Sequence, residues 1–181
     1  MSKFRKAQGI ILKKQNYRET DQIITIWTSE FGKLRVLARG LRKPGSKLSG
    51  ALQDLSFTQV DLAGSWPTVI SAASLKNFRG IRSNLAKIAP AAYACELMLK
   101  MTADEHPDER AFNLLLDFLS ELDSDGTEFS AYTMIDIYAL NLSEILGFGR
   151  PKEISSHRDV RNFIEGVIER AIKSEPFLFA M

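Results

Sequence analysis

At 181 residues the chain has room for one generous domain or two small ones, and its 45% hydrophobic and 25% charged residues exclude a disordered or low-complexity protein. Its one cysteine, Cys95, in the segment AAYACELML, excludes an internal disulfide and a thiolate zinc cluster and reads as a buried helical thiol. The net charge of +2 conceals a division: residues 1–90 hold 16 Lys or Arg against 5 Asp or Glu, residues 91–181 hold 8 against 17, so a contact with nucleic acid or another anionic surface is expected of the first half only.

The start, MSKFRKAQGIIL, has too short an apolar run for a signal peptide, and no later stretch approaches the roughly 18 apolar residues of a membrane span, so a cytoplasmic protein without membrane contact is expected. After it the first half reads as strands. GIILKKQNY, TDQIITIWT, KLRVLARG, ALQDLSFTQVDL and WPTVISAASLKNF are rich in branched and aromatic residues, and the turn segments NYRET, EFG, GLRKPGSKLSG and AGSWP separate them. Five short strands in about 80 residues suggest a small closed barrel, since a flat sheet of five would leave one face and two edges exposed.

Within this half, residues 33–47 place six cations in fifteen positions, Lys33, Arg35, Arg39, Arg42, Lys43 and Lys47, with no acid between Glu30 and Asp54. Alternation along KLRVLARG turns Leu34, Val36 and Ala38 one way and Lys33, Arg35, Leu37 and Arg39 the other. Pro44 and Gly45 then interrupt pairing, leaving Arg42, Lys43 and Lys47 on what reads as a mobile loop. Strand face and loop together form one cationic surface. A merely solvated face would mix signs, and this one does not. Tyr17, Trp27, Phe31 and Trp66 lie beside the cations and are of a type that stacks on unpaired bases, though most also suit a barrel core; Trp66, in the turn AGSWP, is the best placed for exposure.

The second half reads as about four helices, beginning with NLAKIAPAAYACELMLKMT. Pro107 suits a first helical position, and Phe112, Leu115, Leu116, Leu119 and Leu122 recur at helical spacing until Asp125 and Gly126. Ile135, Tyr138, Leu142 and Ile145 form the next stripe, ending at Gly147. Ser156 and Asp159 match a capping box ahead of a stripe of Val160, Phe163, Ile164, Val167, Ile168 and Ile172. The expected division is a barrel over residues 1–80 and helices over 81–181.

Catalytic constellations are sparse. His106 sits in a turn and His157 just after a helix cap, neither with a metal-ligand neighbour at helical spacing or an obvious acid partner, and there is no phosphate-cradling or nucleophile-elbow motif. No catalytic residue, metal ligand or cofactor is expected. Six clustered cations, by contrast, could supply most of a non-specific affinity for nucleic acid by releasing condensed counterions.

The stretch GIILKKQNYRETDQIITIWTSEFGKLRVLARGLRKPGSKLSGALQDLSFTQVDL resembles the N-terminal region of the bacterial RecO family of recombination mediators and DNA repair proteins. The matching marks are Gly9 before an aliphatic strand, Tyr17, Glu19 and Asp21 in the first turn, Phe31-Gly32-Lys33, and Ala38-Arg39-Gly40 ahead of a basic loop. LKNFRGIRSNLAKIAPAAYACELM is similar to that family's passage from barrel to helices, and AIKSEP resembles its C-terminal helix end, so the likeness runs over nearly the whole chain. It implies an α+β protein with an N-terminal five-stranded OB-fold β-barrel followed by an α-helical domain. It implies a non-enzymatic role as well: binding single- and double-stranded DNA, annealing complementary strands, and helping to load recombinase onto DNA coated by single-stranded DNA-binding protein. RecR and the acidic tail of that coating protein are the implied partners. Many relatives carry a cysteine-bearing zinc segment after the ILGFGRP-like helix end; here Pro151 is followed within a few residues by the final helix, which reads as a compact member without it. With Arg35, Arg39 and the other cations and Trp66 as the expected DNA contacts, the alternatives are an adaptor whose basic barrel docks an acidic partner and, last, an enzyme.

Overall fold

The computed structural model describes residues 4–124 and 130–169. Asp125, Gly126, Ile172 and the AIKSEP segment lie outside them. The chain divides into two compact units, one of residues 1–77 with 103–109, the other of residues 78–102 with 110–181.

The first unit is a closed five-stranded barrel in the order β1-β2-β3-β5-β4, built from β1 (Arg5–Tyr17), β2 (Asp21–Thr28), β3 (Gly32–Ala38), β4 (Phe57–Ala63) and β5 (Thr68–Lys76). Neighbours pair antiparallel except β3 and β5, which meet in parallel at Leu37 and Thr68 and close the barrel. Inward residues follow the period of two: Ile11, Ile24, Ile26, Leu34, Val36, Val60, Leu62 and Val69 are all buried in one cluster. Gly9 has no side chain because a Cβ there would stand 2.6 Å from the Trp27 carbonyl oxygen on the paired strand. Trp27 is itself buried, which settles it as core rather than a stacking surface.

The fourth strand begins at Phe57, six residues later than the apolar pattern ALQDL suggests. Ala51 and Leu52 are buried, but as part of the basic connection rather than of a ladder. Leu41, Leu48 and Leu52 turn inward to join the barrel core, while Arg42, Lys43 and Lys47 stay exposed. Successive turn bonds, Lys43 N to Gly40 O, Ser46 N to Lys43 O, Ser49 N to Ser46 O and Leu52 N to Leu48 O, run through the connection. The expected free loop is therefore a folded series of turns, held by three leucines that have no better place to hide.

Among the described residues the second unit has five helices: α1 (Arg79–Ser83), α2 (Leu85–Met101), α3 (Glu109–Asp123), α4 (Ala131–Ile145) and α5 (His157–Ile168). The sequence pattern gave α2 to α5; α1 is too short to show a period. The third helix starts at Glu109, so Pro107 precedes it instead of opening it. Asn84 caps α2 by accepting from the Ala86 amide, and Ser130 caps α4 from the Thr133 amide. At α5 the Ser156 and Asp159 capping box is formed in both directions. The apolar stripes meet as expected: Phe118 and Tyr138 rings lie 4.7 Å apart, and buried Cys95 sits on the interior of α2. Among the described residues no helix is long and apolar enough to cross a membrane.

Candidate nucleic-acid interface

Closure of the barrel decides which cations can act together. The parallel contact of β3 with β5 is reinforced by the Leu37 amide, which donates to the Pro67 carbonyl at 2.9 Å, so the β4–β5 turn is brought against the outward face of β3. Trp66, in that turn, is 58% exposed. It lines one hollow together with Arg35 and Pro67 and a second with Arg39, Leu37 and Ile23. Arg39 also lines a third hollow with Gly40, Lys43 and Pro44. Arg35, Trp66, Arg39 and Lys43 therefore follow one another across a continuous strip of the barrel surface, with all four exposed.

Cross-strand register extends the strip. Arg35 pairs with Thr25, and Thr25 with Lys13, which places exposed Lys13 and Arg35 on the same face either side of a threonine. A register shift between Ile11 and Lys13 is what turns Lys13 to that face. The second hollow adds two residues that composition alone did not assign to the site: Tyr17, 39% exposed at the end of β1, and Arg18, whose guanidinium lies 5.2 Å from the Tyr17 ring centroid. Tyr17 was legible as an aromatic near cations; only the barrel register shows that it faces Trp66 across Ile23 and Leu37.

The remaining expected contacts are placed differently. Lys33 is not a free cation: it is buried, and its Nζ stands 3.3 Å from Asp104 Oδ1. Strand alternation puts it beside Arg35 in the pattern, but residues 103–109 return to the barrel and cover it. The Glu105 amide donates to the Lys33 carbonyl at 3.0 Å, and Gly32, at φ +69°, lies so close to the His106 backbone that a Cβ would be 2.4 Å from it. That explains the glycine of the Phe31-Gly32-Lys33 mark. Arg42 is exposed, but its Nη1 donates to the Glu19 carbonyl at 3.3 Å and its amide to the Thr20 carbonyl at 2.9 Å, tying the basic turns to the β1–β2 connection. Asp21 serves the same junction, accepting from the Gly40 amide at 2.8 Å, with Gly40 at φ +63°. Lys47 is exposed and lines none of the three hollows.

His106 lines the hollow that holds Arg35 and Trp66. His106 is exposed, its Nδ1 2.9 Å from the Asp104 carbonyl. His157, expected to lack an acid partner, has one: its Nδ1 lies 2.7 Å from Asp136 Oδ1 on α4. Among the described residues no three His, Cys, Asp or Glu side chains are grouped to hold a metal ion. The strip can therefore attract phosphates and present aromatic planes.

Comparison with known proteins places the chain in a family. The family model described as "Recombination protein O N terminal" matches residues 1–83, and "Recombination protein O C terminal" matches residues 82–151. The chain is 36% identical over 133 residues to the DNA repair protein RecO of Bacillus subtilis, covering 72% of this chain and 51% of that protein. It is 33% identical over 140 residues to the RecO of Dehalococcoides mccartyi (76% of this chain, 55% of that protein) and 29% identical over 144 residues to the RecO of Listeria welshimeri (78% and 55%). The chain spans about half the length of these curated relatives.

Proposed function

Because the chain belongs to the RecO family, we propose that it is a DNA-binding mediator of repair and recombination that works without catalysing a reaction: it holds single- and double-stranded DNA on its barrel, anneals complementary strands, and helps recombinase onto strands coated by single-stranded DNA-binding protein. RecR and the coating protein are its partners in this reading, and the cytoplasm, in contact with the nucleoid, is its place.

The observation that carries the proposal is the run of exposed cations from Lys13 through Arg35 and Arg39 to Lys43. Phosphate contacts are favoured because each releases condensed counterions, and Lys13 and Arg35, whose backbone the sheet already fixes, lose little backbone freedom when a strand arrives. Annealing follows from the same chemistry, since neutralising two strands on one surface reduces the repulsion between them.

Fluorescence anisotropy with labelled single and duplex oligonucleotides at two salt concentrations tests this. Four to six phosphate contacts should give a slope of log affinity against log salt of roughly −3 to −4 for single strands, at about −0.7 per contact. A flat slope, with binding instead to an acidic peptide, would favour the adaptor reading.

A further inference from the structure

Resting on the DNA-binding reading above, we propose that the hollow between Tyr17 and Trp66 is a pocket for one unstacked nucleobase, so that this end of the interface selects single strands over duplex. Six residues line it: Tyr17, Arg18, Ile23, Leu37, Arg39 and Trp66. Ile23 and Leu37 are directly paired on β2 and β3 and half-buried, so they form an apolar floor on the outward side of the barrel, where strand alternation would ordinarily place polar residues. Two partly exposed aromatic rings border this floor and two guanidinium groups accompany them. An apolar floor with aromatic sides accepts the face of a base, and the cations beside it accept the phosphates before and after that base.

Size and charge narrow the occupant. The hollow measures about 190 Å³. That is below the ~300–1,000 Å³ of clefts for whole small molecules, and holds the bulk of a single ring system rather than a stacked pair. A peptide side chain would fill the floor too, but the strip that leads to it through Arg39 and Lys43 draws a polyanion. In duplex DNA the bases are stacked and paired, their faces unavailable, so a duplex meets only the cations. During annealing a base leaves the pocket as it pairs, which lets the product go.

Anisotropy titrations with three probes of equal length, a single strand, the same strand with base-free sugars and a duplex, each against the unaltered protein and Tyr17→Ala/Trp66→Ala, separate the two layers. The double variant should lose roughly five- to 150-fold in affinity for the normal strand, while its duplex affinity and its salt slope stay as in the unaltered protein. The unaltered protein should prefer the normal strand to the base-free one, and the double variant should not. Trp66→Phe should retain binding. Because Trp27 is buried, the quenching of intrinsic fluorescence on adding a strand should come from Trp66 and vanish in Trp66→Phe. Circular dichroism of each variant confirms the barrel. If single strands bind with a steep salt slope but the double variant and the base-free strand behave as the normal ones do, the base pocket is wrong and the cationic interface stands. If the unaltered protein binds no strand at all, both fall together.

Discussion

Lys33 and Asp104 are joined through space at 3.3 Å and, one residue on, through the backbone bond from Glu105 to Lys33, so an acidic segment is stitched along the strand that carries Arg35. Glu105 also lines the hollow that holds Arg35 and Trp66. Negative charge at that edge opposes an incoming phosphate. Asp104→Asn with Glu105→Gln should therefore raise single-strand affinity at low salt by roughly threefold, an effect that fades as salt screens it. Lys33→Glu should instead act on folding, because it buries a carboxylate beside another: a loss of about 3 kcal/mol, read as a lowered thermal midpoint, is expected.

Charge reversal on the strip should separate its parts. Arg35→Glu with Arg39→Glu should lower DNA affinity more than tenfold and flatten the salt slope by about 1.4 for single strands, two contacts' worth. Arg42→Glu with Lys43→Glu should lower it less, since the Arg42 guanidinium already donates to the Glu19 carbonyl. Equal losses in the two pairs, measured by anisotropy with unchanged circular dichroism, would move the main contact to the turns.

Gly32→Ala puts a methyl group against the His106 backbone at a residue whose φ of +69° already disfavours a side chain. The conformation alone costs about 1–2 kcal/mol, and the collision adds to it. Hydrogen exchange should show where: the Glu105 amide, which donates to Lys33, should lose protection before the amides of β1 and β2 do.

Two carboxylates near α5 respond to pH in opposite senses. Burial raises Asp136 above its ordinary 3.8, with the hydrogen bond and charge of His157 pulling the other way. Its folded form holds the proton better than the unfolded chain, so its contribution to stability is present at low pH and is lost as pH rises through the raised value. Hydrogen bonds from the Ser155 amide and the Ser156 side chain lower Asp159, so its contribution is present above 3.8 and is lost as pH falls through the lowered value. Thermal melts followed by far-ultraviolet circular dichroism from about pH 2 to about pH 7 should show Asp159→Asn flattening the acid loss and Asp136→Asn flattening the decline above it. A shared response of both variants would mean that neither pair governs α5.

How far the sequence spoke depended on the reach of the contacts involved. The strand period in KLRVLARG, the stripe of α3 and the capping box of Ser156 and Asp159 are local patterns, and each appears in the structure where its spacing put it. Lys33 is where local pattern fails: its alternation matches that of Arg35, but a segment seventy residues downstream covers it. Ala51 and Leu52 looked like the start of a strand because burial and pairing leave the same apolar signature; here they are buried without pairing. The partnership of His157 with Asp136 joins two helices, and no spacing announces it. For the site, the cations were evident as a cluster, whereas the meeting of Tyr17 with Trp66 required knowing that β3 runs beside β5.

The path of the chain has a consequence for anyone dividing this protein. It departs from the barrel after Asn77, makes α1 and α2 of the helical unit, and comes back as residues 103–109 before leaving again, so the barrel unit is built from two separate stretches of chain. A contiguous excision ending near Gly80 would discard the very residues that shield Lys33 and occupy the space opposite Gly32. The portable module is therefore discontinuous. A graft of the interface onto another scaffold would carry residues 1–77 and 103–109 together, with a short linker in place of the helices, and the cost of closing that shorter connection grows only with the logarithm of its length.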